Sequence, residues 1–190
     1  FRLVLLRNQT EAYETEKGET NRKVEKWSKH LTSLFNAGKG LSLTQVKENL
    51  HEMVKDFAAI PIQKVPKVKV GIVGEIYVKY SALGNNNLEQ FLRDQDCEVN
   101  VPGLMNFGLF KVDNRLEDIK LYGGNPLKYF FVNILMNYLV RMQNIMIEAV
   151  RSEPRYQPPE PYAHTKSLIK NVIGYGDKMG EGWLLTAEML

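Results

Sequence analysis

Glu75 follows a run of apolar, mostly β-branched residues in "VKVGIVGEIYVKYSALGNNN", where a carboxylate could accept hydrogen bonds from a ligand or from N–H groups of a neighbouring loop. In open parallel sheets, ligands bind outside the carboxyl ends of the strands. Tyr77 and Tyr80 come next and could line such a crevice, or pack with their hydroxyls in solvent. Asn85 and Asn86, with Asn87, follow Gly84. Asn tolerates left-handed backbone and caps helix starts, so turn-and-cap chemistry competes with ligand binding as their role. Near the other end, "GYGDKMGEG" contains Gly176 and Gly180 and precedes a helical pattern whose N-terminus would attract anions. Its glycines could bring backbone close to a ligand or another chain, or serve only as a flexible connector. Glu75, Tyr77, Tyr80, Asn85, Asn86, Gly176 and Gly180 are the candidate ligand-binding residues.

Catalytic and metal-binding patterns are not found. After the apolar run, Gly71 and Gly74 are followed by Glu75-Ile76-Tyr77, which breaks the G-x-G-x-x-G spacing of a dinucleotide turn. No Gly-Lys-Ser or Gly-Lys-Thr closes a phosphate loop. His30, His51 and His164 lie far apart, with no HExxH or CxxC. Cys97, the one cysteine, excludes an internal disulfide and a cluster held by this chain alone. It opens an expected strand and reads as a small buried hydrophobe. No catalytic residue and no metal ligand is assigned.

The elements that must position these residues follow from periodicity. "FRLVLL" is compatible with a strand. Val24, Trp27, Leu31, Leu34 and Phe35 repeat at helical spacing over about Asn21 to Asn36, and "NAGKG" stops that helix. Ser42 and Gln45 fit a capping box, followed by an apolar face of Val46, Leu50, Met53, Val54 and Phe57. Pro61 and Pro66 mark the main boundary near residues 61–66. "VKVGIVG", "NNLEQFLRDQD" and "CEVNVPG" then read as strand, short helix and strand, a βαβ unit whose first strand is covered on both faces. Asn125 and Pro126 start the longest helix, to about Glu153. Its polar stripe of Asn133, Asn137, Arg141, Asn144 and Glu148 argues against a lipid-facing span and for a core helix. "SEPRYQPPEPY" is an extended connector, a helix over about Thr165 to Ile173 follows, and "WLLTAEML" resumes the helical pattern.

The 190 residues, 44% hydrophobic and 25% charged, suit a globular chain with a real core. The net charge of +3, with Lys and Arg scattered among Asp and Glu, offers no basic stripe, so nucleic acid is not an expected partner. Neither a membrane anchor nor a signal peptide is legible, which makes the cytoplasm the expected compartment. The chain opens at Phe1 without an initiator Met and is expected to be a piece of a longer protein.

"KVGIVGEIYVKYSALGNNNLEQFLRDQDCEVNVPGLMNF" resembles a segment of the acyl-CoA dehydratase activase-related proteins (CoA-substrate-specific enzyme activases with a 2-hydroxyacyl-CoA dehydratase-like region). The closing "GYGDKMGEGWLLTAEML" resembles the same region further on, so the likeness covers about Pro66 to Leu190. It implies an α/β fold, a flavodoxin-like parallel sheet flanked by helices over residues 66–190, truncated at its C-terminus. Residues 1–65 would be a helical extension or the end of a preceding domain. It implies an iron–sulfur cluster and ATP in the intact parent, with no cofactor in this piece. Partners would be the rest of the parent chain and an iron–sulfur dehydratase or reductase acting on a CoA thioester. The expected role is a structural and docking portion, inactive alone, with nothing bound in the crevice beside residues 74–87. The alternatives are a small-ligand domain for a CoA-type molecule, an anion or a flavin, the last acting in electron transfer.

Overall fold

The described residues begin in a helix rather than the strand expected of "FRLVLL", whose first residue lies outside them. The computed structural model describes residues 2–190, and α1 spans Arg2–Glu11. A short apolar run does not distinguish helix from strand by periodicity. Here Leu-rich sequence and the Arg7–Glu11 ion pair, 2.9 Å at i,i+4 spacing, favour the helix.

α2 (Glu19–Asn36) and α3 (Leu43–Ala58) form as the periodicity predicts. Gly38 and Gly40, with φ of 68° and 81°, supply the left-handed turn between them. Ser42 accepts the Gln45 N–H at 3.3 Å, while Gln45 reaches back to the Gly40 N–H at 3.1 Å instead of closing a box on Ser42. Leu50, Met53, Val54 and Phe57 are buried, and the last three share a cluster with Leu6, Trp27, Val150 and Tyr156.

The α/β, flavodoxin-like expectation is overturned. Among the described residues there are nine α-helices and a single two-stranded parallel sheet, β1 (Lys69–Gly71) and β2 (Glu98–Asn100). The strand–helix–strand order holds, with α4 (Ile76–Tyr80) and α5 (Leu88–Asp94) between the strands. Only three residues of each segment pair, Lys69 with Glu98, Val70 with Val99 and Gly71 with Asn100. "VKVGIVG" is not covered on both faces: Lys69 and Gly71 are exposed, and so is Val68. An apolar run reports capacity for burial, but a sheet needs further strands to bury it, and this chain offers helical segments instead.

The run after β2, to which no element was assigned, is one helix, α6 (Leu104–Tyr122). α7 (Pro126–Arg151) starts on the Asn125 cap, whose side chain accepts the Leu127 N–H at 2.8 Å. α8 (Tyr162–Leu168) begins and ends earlier than expected, and α9 (Gly182–Met189) closes the chain. Leu109, Phe110, Tyr162, Ile169, Trp183 and Leu184 form the second core. A third, small cluster packs Ile72, Val99 and Val101 against Leu88 and Leu92. α7 packs on the second core along one face rather than on most sides, with Tyr129, Val132 and Met136 contributing from its first half. Met136, Gln143, Ile147, Ala149 and Val150 are buried, whereas Asn137, Arg141, Asn144 and Glu148 face solvent. Among the described residues no helix is long and apolar enough to cross a membrane.

Candidate functional site

Alternate residues of a strand point to opposite faces, and the two faces of the β1–β2 sheet differ sharply. Ile72, Val99 and Val101 pack on α5. Lys69, Gly71, Glu98 and Asn100 line a cleft of about 620 Å³ on the other side. α1 forms one wall with Leu5, Asn8 and Gln9; α8 and α9 form the opposite wall with His164, Leu168, Ala187 and Glu188.

The walls are held by side-chain amides. Gln9 grips the Gln157 backbone at both ends, donating from Nε2 to the carbonyl at 2.9 Å and accepting the N–H at 2.8 Å. This pins the proline-rich connector over the cleft. Gln143 donates to Asn106 Oδ1 at 2.9 Å and accepts the Tyr162 N–H at 3.0 Å, chaining α6, α7 and α8. Each amide supplies both a donor and an acceptor, so one side chain can join two elements.

The charged element is at the α9 side. Lys79 on α4 donates to Glu188 Oε2 at 2.7 Å, with the two side chains 4% and 3% exposed. Glu188 Oε1 is buried without a hydrogen-bond partner. Burial pushes the Glu188 carboxyl above the usual range, opposing the attraction of Lys79, and Glu181 adds to the rise. At the strand side, Lys69 faces Glu98 at 3.4 Å, and Glu98 also accepts the Tyr13 hydroxyl at 2.5 Å. Burial, then the Glu98 hydrogen bond and charge, push the Tyr13 phenol up to about 12.

The Thr165 hydroxyl donates to the Pro161 carbonyl at 3.5 Å. No family model, curated protein or solved structure matches the chain.

None of the seven residues singled out in the sequence is among those lining this cleft. Glu75 caps α4 by accepting the Val78 N–H at 2.8 Å, and Asn85 donates to the Val78 carbonyl at 2.9 Å while accepting the Leu88 N–H at 3.2 Å. Both therefore hold one loop through one residue. Asn86 and Asn87 take φ of 54° and 56°, the left-handed turn their type tolerates. The exposed Tyr77 ring lies over Gly84, where an added Cβ would sit 2.7 Å from it. Tyr80 reaches the cleft rim, its hydroxyl donating to the Pro102 carbonyl. Burial, with the Glu188 and Glu89 charges, raises its phenol above the usual range. Gly176 and Gly180 sit in the loop before α9, away from these contacts; Gly176 lies against Asp118, which accepts the Asp177 N–H at 3.0 Å.

Sequence reasoning missed Lys79 and Glu188. The available signal was one charge inside each of two apolar stretches, "IYVKYS" and "WLLTAEML". It also missed Asp113 and Glu117, one turn apart on α6, which meet Lys166 at 2.6 and 2.9 Å, with Asp113 accepting the Tyr162 hydroxyl at 3.0 Å.

Proposed function

We propose that this chain is a structural and docking portion, inactive alone, of an activase or 2-hydroxyacyl-CoA dehydratase-like iron–sulfur protein acting on CoA thioesters. The observation that carries this reading is the open edge of β1. Ile72 N–H donates to the Asn100 carbonyl and Glu98 N–H to the Val68 carbonyl, both at 2.9 Å. The backbone groups of Lys69 and Gly71 therefore turn away from β2, and both residues are exposed. A Cβ on Gly71 would meet nothing within 4 Å. Such an edge is a template for another strand. The likeness of Pro66 to Leu190 to activase-related proteins supplies the system in which it would be used.

The chain's own residues do not fit the cluster. Its single cysteine, Cys97, is half-buried with its thiol 3.7 Å from the Gln95 carbonyl. Among the described residues no group of three His, Cys, Asp or Glu side chains could hold a metal ion. Cluster ligands would have to come from elsewhere in the parent. The test is anaerobic purification of this chain and of one extended by the parent's next hundred residues or so, measuring iron and acid-labile sulfide in both. Iron in the longer chain alone supports the docking role; iron in neither removes its basis.

A second reading, a small-ligand site in the cleft, is favoured by the exposed polar side chains of Lys69, Asn100 and His164 in its lining. Lys69 already faces Glu98, which counts against polyphosphate groups. A rise in melting temperature with an acyl-CoA, a flavin or inorganic phosphate would support this reading, because a ligand bound only to the folded state stabilises it. No shift with any of the three would sink it.

A further inference from the structure

We propose that two copies of this chain pair through the solvent face of α7, helix against antiparallel helix. Leu127, Phe131, Ile134 and Tyr138 recur at spacings of four, three and four, the apolar seam of a helix pair. They lie opposite the face that packs on the core, flanked by Phe130 and Leu135. All six are exposed, Phe131 at 61% and Leu127 equally so. Scattered exposed apolar residues are ordinary, but six contiguous ones on one helix face mark an interaction surface.

The same face is already an interface further along. Its continuation through Ala149 and Ser152 meets α3, where Lys47 lies 3.8 Å from Glu148 and His51 meets Ser152 at 3.3 Å. Ala149 is fully buried there. The bare stripe is thus the unfilled half of a helix-packing surface whose other half is occupied.

Geometry selects the second copy and its direction. A twofold axis beside Ile134 and Leu135 places Phe131 of one copy opposite Tyr138 of the other. Because α7 starts at Pro126, the second helix then begins just short of the stretch that α3 covers, and each α3 lies beyond the end of the facing helix. A parallel partner would run on into α3. With aromatic side chains of roughly 150–250 Å² each, half or more exposed, and three aliphatic neighbours, the stripe offers on the order of 600 Å² per copy. The pair would bury roughly 1,200 Å², the lower end of specific interfaces, and closed twofold pairing is the commonest oligomer symmetry.

The test is the mass of the 190-residue chain by sedimentation equilibrium at micromolar to tens of micromolar concentration. The expected result is twice 21.8 kDa, falling to 21.8 kDa in Phe131→Glu and in Ile134→Glu. Both side chains are exposed in the single chain, so circular dichroism and melting temperature of the dilute variants should match the parent. Direction is read by disulfide trapping in a Cys97→Ser background, where Ile134→Cys should cross-link and Leu127→Cys should not. A parent that stays at the single-chain mass, a dimer that survives both glutamates, or cross-linking through Leu127→Cys alone would overturn the proposal.

Discussion

Lys79 on α4 and Glu188 on α9, 109 residues apart, form a nearly solvent-free ion pair that ties the first strand's following helix to the last helix of the chain. Taking both charges out of water costs much of what their attraction returns. Removing one partner leaves the other buried and uncompensated. Lys79→Met and Glu188→Leu should each lower stability by about 3–5 kcal/mol, while the double replacement should be neutral or stabilising. Urea unfolding of the four proteins checks this; additive losses in the double variant would contradict it.

The raised Glu188 carboxyl has a consequence for pH. A carboxyl whose folded pKa lies above its unfolded value binds its proton more tightly when folded. Its contribution is complete below the ordinary glutamate range and is lost as pH rises through the raised folded value. Glu188→Gln should therefore flatten the part of the stability profile that declines just above that range. Chemical denaturation across the weakly acidic range reads the difference.

Asp56 should act with the opposite sign. Burial works to raise its carboxyl, but hydrogen bonds from Lys23, Lys26 and the Trp27 indole outweigh it and hold the carboxyl below the usual range. Its stabilisation is present above the ordinary aspartate range and disappears as pH falls through the lowered value. Asp56→Ala should cost about 1–2 kcal/mol, mostly from the 2.9 Å bond to Trp27 and the half-buried Lys23 rather than the exposed Lys26. Trp fluorescence during acid titration would show whether the low-pH transition moves.

Gly176 and Gly180 should respond unequally to alanine. At Gly176, φ is 103° and a Cβ would lie 2.6 Å from Asp118 Oδ1, so backbone strain adds to a clash. At Gly180, φ is 57° and ψ −140°, a conformation that residues other than glycine strongly avoid, but the space around it is open, leaving backbone strain of about 1–3 kcal/mol without a clash. Gly176→Ala should have the lower melting temperature of the two, and the reverse order would show that Asp118 moves aside freely.

Features set by a few neighbouring residues were legible in the sequence. Gly38 and Gly40 turn the chain after α2, Ser42 and Asn125 cap helices, Pro126 occupies a first turn, and four of the five apolar residues expected on the face of α3 are buried, Val46 being half-buried. Capping and amphipathic spacing act over one or two turns, so a linear reading contains all the interacting partners. Glu75 and Asn85 also find hydrogen-bond partners locally, at the N–H and carbonyl of Val78.

What the linear order left open depended on distant partners. "VKVGIVG" carries the composition of a covered strand, yet strand pairing needs a second backbone, and only β2 meets it. The α1 run has composition shared by strand and helix, and packing beneath α2 and α3 accompanies the helical choice. α7 carries apolar residues on two faces, and only the placement of α3 and α6 shows which are buried and which remain bare. Lys79 and Glu188 are single charges in apolar stretches until the fold sets them 2.7 Å apart. Local propensity and capping decide where this chain turns and coils. Which apolar faces are covered, and which charges find partners away from water, is decided by contacts between segments that are remote in sequence.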